Sequence, residues 1–490
     1  MLGRHSIAPV AVLAAATLIT ASSCGWPSLR PSPHIILITV DTLRVDHVGA
    51  YGAAPLPTPA FDSLGSAGAI VAHAYAPFGR TTQSLGSILT GLHPLHHGAD
   101  GLGMTLGDEN RTLSEILGEH GYRRGAFVSN LWIQKGHGFE QGFEVFTNPP
   151  ERWEKDSAPQ ITGEALAWTK EALQRDAPVF LWAHYLDPHW PYEPPQRFAQ
   201  LSDPTWEGPF DLFAKVSDAR GDAAVPDGFT KGRVIFDADK ILSARELEHV
   251  RRLYAAEVAA TDAAVGDLLA GLKQLGVLDN AIVILTADHG ESLGEHRYWF
   301  AHGEYLYDET LHVPMLIRAP GIPPGTRIEG NALLMDLLPT VLTLAGFDPP
   351  PSLDGVSLAE PLRRGGTSTI APRLSVHLAD HVLVRAENPR REVPGRAGRW
   401  CAARESFDKL ITIPTRSGSP TLEFYDLGAD PHELHDRSAM RHDLTRFVDA
   451  CAAVPTTGPE SEIDPEKRDR AGSLGYVGDP PPTQTTTPQR

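Results

Sequence analysis

Asp288 and His289 stand directly behind the apolar run 281–286 (Ala-Ile-Val-Ile-Leu-Thr), in the segment Ala287-Asp288-His289-Gly290-Glu291. A hard carboxylate oxygen beside a borderline imidazole nitrogen suits a divalent metal. A second apolar run, His34–Val40, ends at another acid, Asp41. Such short runs, rich in β-branched residues, read as strands covered on both faces of a parallel sheet. Open α/β sheets bind ligands at the carboxyl ends of their strands. If the two strands are neighbours, Asp41, Asp288 and His289 converge there, and three ligands leave a coordination position open for catalysis. Taken alone, a polar turn after a strand accounts for Asp288-His289 equally well, so the rest of the chain must decide.

The elements that would hold these residues alternate between strand and helix, the α/β pattern. Thr58 and Pro59 open a short helix, as N-cap and first helical residue. Thr112 and Glu115 form a capping box ahead of a helix through Glu119, and 126–129 is a short strand. A helix over 161–175 precedes a strand over 178–185. Ser243 and Glu246 form a second capping box, followed by a long helix with Leu247, Val250, Tyr254, Val258, Val265, Leu268, Leu272 and Leu275 on one face. These are core positions. Between 194 and 241 lies a stretch without period, rich in Asp, Gly and Pro, which reads as a substrate-facing insertion.

Length and composition agree with this. A chain of 490 residues, 41% hydrophobic and 21% charged, has ample material for a core,. It exceeds what one core usually reaches, so a large domain with a smaller appendage is expected. The net charge of −18 excludes nucleic acid and anionic membrane surfaces as natural partners. It does not exclude a small anionic substrate, which a local metal attracts against the global field.

At the N-terminus, Arg4 and His5 precede an apolar stretch over 7–19, too short to span a bilayer and flanked like a secretory signal. It ends in Ala21-Ser22-Ser23-Cys24-Gly25, which resembles the lipobox of bacterial lipoproteins, with Ala21 where Leu is usual. The resemblance implies a signal peptide over 1–23, a lipidated Cys24, a tether over 24–33, and a periplasmic or outer-membrane-anchored protein touching the membrane only through that lipid; an ordinary signal peptide cut elsewhere, or a retained anchor, is the plain alternative. Cys401 and Cys451 remain after processing. They could pair in an oxidising compartment, but two cysteines alone do not establish a disulfide. The catalytic domain is expected over 34–365, a small C-terminal α+β subdomain with β-like runs at 382–385 and 409–413 over 366–455, and a polar tail over 456–490.

The segment His34-Ile35-Ile36-Leu37-Ile38-Thr39-Val40-Asp41-Thr42-Leu43-Arg44-Val45-Asp46 resembles the opening strand and first metal ligand of the sulfatase family, in the alkaline-phosphatase superfamily. Ser87-Ile88-Leu89-Thr90-Gly91 and His96-His97-Gly98 resemble the helix after that family's nucleophile. Leu306-Tyr307-Asp308-Glu309, Val313-Pro314, Asp336-Leu337-Leu338-Pro339-Thr340, Phe424-Tyr425-Asp426-Leu427 and Asp430-Pro431-His432-Glu433 continue the pattern in order. Leu474-Gly475-Tyr476-Val477 resembles a frequent bacterial sulfatase ending. The likeness spans nearly the whole chain after residue 34. It implies a mixed, mostly parallel central sheet flanked by helices.

In that family the motif Cys/Ser-x-Pro-Ser-Arg leads to Leu-Thr-Gly, and its first residue is oxidised to formylglycine. Counting back from Thr90-Gly91 places Thr81 at that position, Ser84 at the motif serine, and Gln83 and Leu85 where Pro and Arg would stand. Threonine cannot give formylglycine, because its β-carbon bears a methyl group and oxidation would yield a ketone. It can act unmodified, because a metal lowers the pKa of a bound hydroxyl and a helix N-terminus favours the alkoxide. Relatives with an unmodified Thr include nucleotide phosphodiesterases and phosphoethanolamine and lipoteichoic-acid transferases. The plain alternative makes Thr81 a helix N-cap.

His189, in Asp187-Pro188-His189-Trp190-Pro191-Tyr192, and His302, in Ala301-His302-Gly303, resemble positions that bind ester oxygens, a second metal or the leaving group. Asp187 and His184 are weaker candidates that serve equally well to orient their loop, and Lys409, which resembles a basic residue near the family's C-terminal strand, reads as surface rather than site. The expected activity is hydrolysis of a sulfate or phosphate ester by in-line attack of Thr81, with His189 or His302 protonating the leaving alcohol. The metal set is Asp41, Thr81, Asp288 and His289 for Ca²⁺, Mn²⁺ or Zn²⁺, with His289 favouring the last two. Competing readings are a phosphomonoesterase or phosphodiesterase, a phospho-group transferase acting on envelope glycans, and a non-catalytic binder of sulfated glycans. The natural alcohol and the oligomeric state are not legible.

Overall fold

The computed structural model describes residues 31–52, 54–101, 104–148, 157–208, 210, 238–381, 393, 395–440 and 443–455. The signal peptide, Cys24, most of the tether, most of the 194–241 insertion, the run 382–385, the 474–477 segment and the tail lie outside the described residues.

Six strands come first along the chain: β1 (His34–Val40), β2 (Ala69–Tyr75), β3 (Arg123–Val128), β4 (Val145–Thr147), β5 (Val179–Tyr185) and β6 (Ala281–Ala287). The short pair β7 (Ser292–Leu293) and β8 (Trp299–Ala301) follows, then β9 (His312–Val313), β10 (Met315–Arg318), β11 (Thr326–Leu333) and β12 (Thr367–Thr369). The last four are β13 (Ser375–His381), β14 (Gly395–Glu405), β15 (Asp408–Ile413) and β16 (Thr421–Asp426).

Among the described residues the large sheet has the order β12-β11-β2-β10-β6-β1-β5-β3-β4, with β9 paired to β2. β1 lies at its centre, parallel to β5 on one side and to β6 on the other. Only β9 and β10 run antiparallel to their neighbours. The sheet is thus mixed and mostly parallel. The apolar runs account for this: Ile35, Ile36, Leu37, Ile38 and Val40 are all buried, as are Ile282–Leu285, and a strand buried on both faces must sit centrally with helices over it.

Register decides what happens at the edge. Val40 pairs with Ala287 and also with Tyr185. The residues that follow, Asp41 and Asp288, therefore leave the sheet side by side at its carboxyl edge.

Helix boundaries differ from the sequence expectation in instructive ways. The helix expected over 161–175 is Ala158–Ala172, with Pro159 in its first turn. The strand expected over 126–129 begins at Arg123, because Arg123 and Arg124 lie at the partly exposed start and pair with Glu144. Thr58 flanks helix Pro59–Ala67 without a side-chain cap. Its hydroxyl instead accepts from Gly49 N and donates to Asp62, while Asp262 accepts from the Ala60 and Phe61 amides. Both capping boxes, Thr112/Glu115 and Ser243/Glu246, are present. The second opens the helix Ala244–Gln274, whose predicted face is buried except Leu275, the residue after its end. A short helix, Gln196–Ser202, opens the stretch that shows no period in the sequence.

The C-terminal subdomain is an antiparallel sheet, β13-β14-β15-β16, packed with helix Thr445–Ala452. Cys401 on β14 and Cys451 on that helix form a disulfide with Cα atoms 5.6 Å apart. β13 docks on the segment before Thr81: Leu378 N donates to Pro77 O, and His377 Nδ1 shares a hydrogen bond with Ala76 O. Among the described residues no helix is long and apolar enough to cross a membrane.

Candidate active site and metal centre

Asp41, Asp288 and His289 meet at the carboxyl edge of β1 and β6, with ligand atoms all within 4.8 Å of one another. Among the described residues, Asp41 and Asp288 each have one oxygen anchored and the other without a hydrogen-bond partner, and His289 has one ring nitrogen anchored and the other turned into the site. Asp41 Oδ2 accepts from Asn130 Nδ2 at 2.6 Å, while its Oδ1 has no hydrogen-bond partner. Asp288 Oδ1 accepts from the amides of Thr42 and His289, while its Oδ2 has none. His289 Nδ1 bonds to Gly290 O at 3.0 Å, which turns Nε2 toward the two acids, 3.4 Å from Asp288 Oδ2 and 3.8 Å from Asp41 Oδ1. Anchoring one nitrogen of a histidine to orient the other is the usual support of a metal ligand.

Electrostatics point the same way. All three side chains are fully buried. Burial, and then the neighbouring Asp288 carboxylate, push Asp41 well above the usual carboxylate range. Two buried acids pressed together destabilise each other unless a cation lies between them. The residues present fit a divalent ion.

Thr81 begins helix Thr81–Thr90. Its Oγ1 lies 3.4 Å from His289 Nε2 and 3.5 Å from Asn130 Nδ2. Asn130 thus touches both Asp41 and Thr81. Sequence reasoning missed it, although it follows β3 by two residues at the same sheet edge, where the rule that found Asp41 applies. Thr42 was also missed. It holds a left-handed φ of 56° while its amide supports Asp288, an uncommon conformation for a β-branched residue and a mark of a functional edge. Tyr254, read as core, is buried in helix Ala244–Gln274, yet its hydroxyl donates to Thr42 O and accepts from Arg44 N.

The two candidate histidines are present. The His302 ring lies 4.3 Å from the His289 ring and 5.0 Å from the His189 ring. His302 Nδ1 is 3.1 Å from Glu291 Oε1, and His189 Nδ1 donates to Trp190 O. His184 stands behind the metal group. Its Nδ1 shares a 2.8 Å hydrogen bond with Thr39 and its Nε2 is 3.5 Å from Asp41 Oδ2. Burial lowers its pKa to about 4, so it is a neutral support at physiological pH. Asp187 lines a cavity of about 150 Å³ with Arg197, Glu257 and Asp267.

Lys409 corrects the sequence reading. It is fully buried rather than superficial, with Nζ 2.8 Å from Asp308 and 2.7 Å from Glu433. Its charge suggested solvent; two buried acids on other segments take solvent's place.

Comparison with known proteins agrees with the geometry. The sulfatase family profile matches residues 33–347. Arylsulfatase K of Canis lupus familiaris is 27% identical over 374 residues, 68% of this chain, and the match spans 66% of that relative's length. The ulvan-active sulfatase of Formosa agariphila is 25% identical over 464 residues, 88% of this chain and 83% of the relative. Among solved structures, the phosphonate monoester hydrolase of Agrobacterium radiobacter superposes with a TM-score of 0.67 at 21% identity, covering 86% of this chain and 94% of the other.

Proposed function

This chain belongs to the sulfatase family, and from that premise we propose that it is a metal-dependent hydrolase of a sulfate or phosphate ester, with unmodified Thr81 as nucleophile. The observation that carries the reading is the placement of Thr81 Oγ1 3.4 Å from His289 Nε2, beside two buried carboxylates each with an oxygen that lacks a hydrogen-bond partner among the described residues.

The family uses a divalent metal, and Asp41, Asp288 and His289 would hold it here, with Thr81 adjacent. When bound, the ion supplies positive charge to the ester oxygens and lowers the pKa of a coordinated hydroxyl. The imidazole of His289 favours Mn²⁺ or Zn²⁺ over Ca²⁺. Asn130 orients Asp41 and Thr81 together. Thr81 Oγ attacks phosphorus or sulfur in line, at the start of a helix whose free amides favour the alkoxide. His302, or His189, donates a proton to the departing alcohol. Water then attacks the same phosphorus or sulfur and frees Thr81 Oγ.

That last step favours a second reading, a phosphomonoesterase or phosphodiesterase. A formylglycine sulfate can discharge by breaking its own C–O bond, whereas a threonine sulfate requires a second attack at sulfur. A phosphothreonine beside a metal is the easier ester to hydrolyse. The discriminating experiment pairs 4-nitrophenyl sulfate, 4-nitrophenyl phosphate and bis(4-nitrophenyl) phosphate with Ca²⁺, Mn²⁺ or Zn²⁺ in turn. Turnover of any ester that depends on added metal and on Thr81 supports the proposal. Turnover unchanged in Thr81→Ala overturns it. Product analysis separates hydrolysis, which releases the inorganic anion, from transfer to a glycan acceptor. A binder of sulfated glycans would release nothing.

We also propose export as a lipoprotein anchored through Cys24. The Cys401–Cys451 disulfide supports an oxidising compartment. Labelled palmitate should enter the wild-type chain in a bacterial host and not Cys24→Ser.

A further inference from the structure

Two separate chain segments carry Thr81 and His302 to the same edge, each against His289. Thr81 follows Gly79-Arg80; His302 precedes Gly303-Glu304. Their backbones touch without side chains between them: a Cβ added at Gly79 would lie 3.2 Å from Gly303 N. Gly303 has φ +85°, and a Cβ there would lie 2.6 Å from Arg80 Nε. Glycine is therefore required at 303 both by conformation and by space.

Across this contact runs an ion pair, Arg80 Nη2 to Glu304 Oε1 at 3.2 Å, with side chains only 5% and 1% exposed. On the same loop, Tyr298 Oη donates to His302 O at 2.7 Å. A buried Arg–Glu pair is poor value as a source of stability, since apolar residues of like volume often serve as well or better. What it supplies is registry, because a guanidinium and a carboxylate bind in few relative positions.

We propose that the Arg80–Glu304 pair, seated on the Gly79–Gly303 contact, is a clamp that sets the position of His302 relative to Thr81 Oγ. Arg80 and Glu304 are positioning residues: each acts through its chain neighbour. The inference rests on the roles of Thr81 and His302 in the preceding section. A clamp of this kind serves the proton transfer to the leaving alcohol, in which the O–P or O–S bond breaks as the His302 proton moves to the departing oxygen. Reactions whose leaving group needs no proton should depend on it little.

The test compares 4-nitrophenyl and phenyl esters of whichever anion the wild type hydrolyses, with the metal-loaded enzyme. The neutral double variant Arg80→Gln/Glu304→Gln should lose about 100-fold or more in kcat/KM on the phenyl ester and less than about 10-fold on the 4-nitrophenyl ester. The shortened pair Arg80→Lys/Glu304→Asp should recover part of the phenyl-ester loss. Equal losses on both esters, or a raised KM with kcat kept (the mark of Arg80 binding the anion directly), would overturn the clamp. If the double variant does not fold, Gly303→Ala keeps both charges and must give the same selective loss. His302→Ala and Thr81→Ala are measured in parallel. Should His302→Ala lack leaving-group selectivity, the assignment of the acid fails, and this is distinguishable from failure of the clamp alone.

Discussion

Buried charge is handled in opposite ways in two regions of this molecule. At the seam between the large sheet and the C-terminal sheet, each acid meets a base. Asp308 is 2.7 Å from Arg404 and 2.8 Å from Lys409, and Lys409 is 2.7 Å from Glu433. Arg404 also stacks over the Tyr75 ring at 3.6 Å. Although burial pushes the other way, Arg404 and Lys409 hold Asp308 well below the usual carboxylate range. At the carboxyl edge of β1 and β6, by contrast, Asp41 and Asp288 face each other, and the nearby groups are Asn130, Thr81 and the imidazoles of His184 and His289. There burial raises Asp41. In the seam Asp308 and Glu433 each have a base within 2.8 Å, although burial still pushes Glu433 up to about 7. The edge sets two acids side by side and needs a cation from outside. Acid beside base marks structure here, and acid beside acid marks the site.

The largest effect expected from breaking this contrast is on turnover. Thr81→Ala should lower kcat by at least ~10³-fold, the scale on which loss of a nucleophile is felt, with unfolding temperature little changed. Asp308→Asn comes next. It strips Arg404 of its carboxylate and should cost about 3–5 kcal/mol of stability, measured by denaturant unfolding. Asp288→Asn should do the reverse in metal-free protein. Relief of repulsion at Asp41 raises stability by about 1 kcal/mol, one pKa unit of differential interaction. The same variant should abolish the rise in unfolding temperature that Mn²⁺ or Zn²⁺ gives the wild type. If Asp308→Asn and Asp288→Asn shift stability in the same direction, the contrast is wrong.

The smallest effect concerns pH. Asp203 accepts from Arg245 and His249, and Arg245 leads in lowering its pKa to about 2. A depressed acid contributes stability that is full above its unfolded pKa of about 4 and is lost as pH falls through the folded value. Wild type should therefore lose unfolding temperature between about pH 4 and pH 2 more steeply than Asp203→Asn. Parallel curves would show that this network contributes nothing.

Much of the edge was legible because the physics is local. A run such as Ile35-Ile36-Leu37-Ile38 has no other stable place than a doubly covered strand, and the acid that ends it must lie at the sheet's edge. Thr81 required register with a family motif, since nothing in its immediate neighbours sets it apart from a helix cap. Asn130 escaped notice although it directly follows the strand expected over 126–129, because a neutral amide carries no charge to mark it as part of a metal site. Lys409 was misread for the complementary reason: its burial depends on Asp308 and Glu433, on segments roughly 100 and 24 residues away, and no pattern along one strand reports partners brought by the fold. The Cys401–Cys451 pairing likewise depends on β14 and the last helix packing together.

If unmodified Thr81 carries the transferred group at this metal edge, acid quenching during turnover of the preferred 4-nitrophenyl ester, followed by peptide mass spectrometry, will trap it. A phosphoryl or sulfuryl group is expected on the peptide containing Thr81, absent from Thr81→Ala and from protein stripped of metal. A Thr81 peptide that stays unmodified during multiple turnovers, or a group found on another residue, would contradict it.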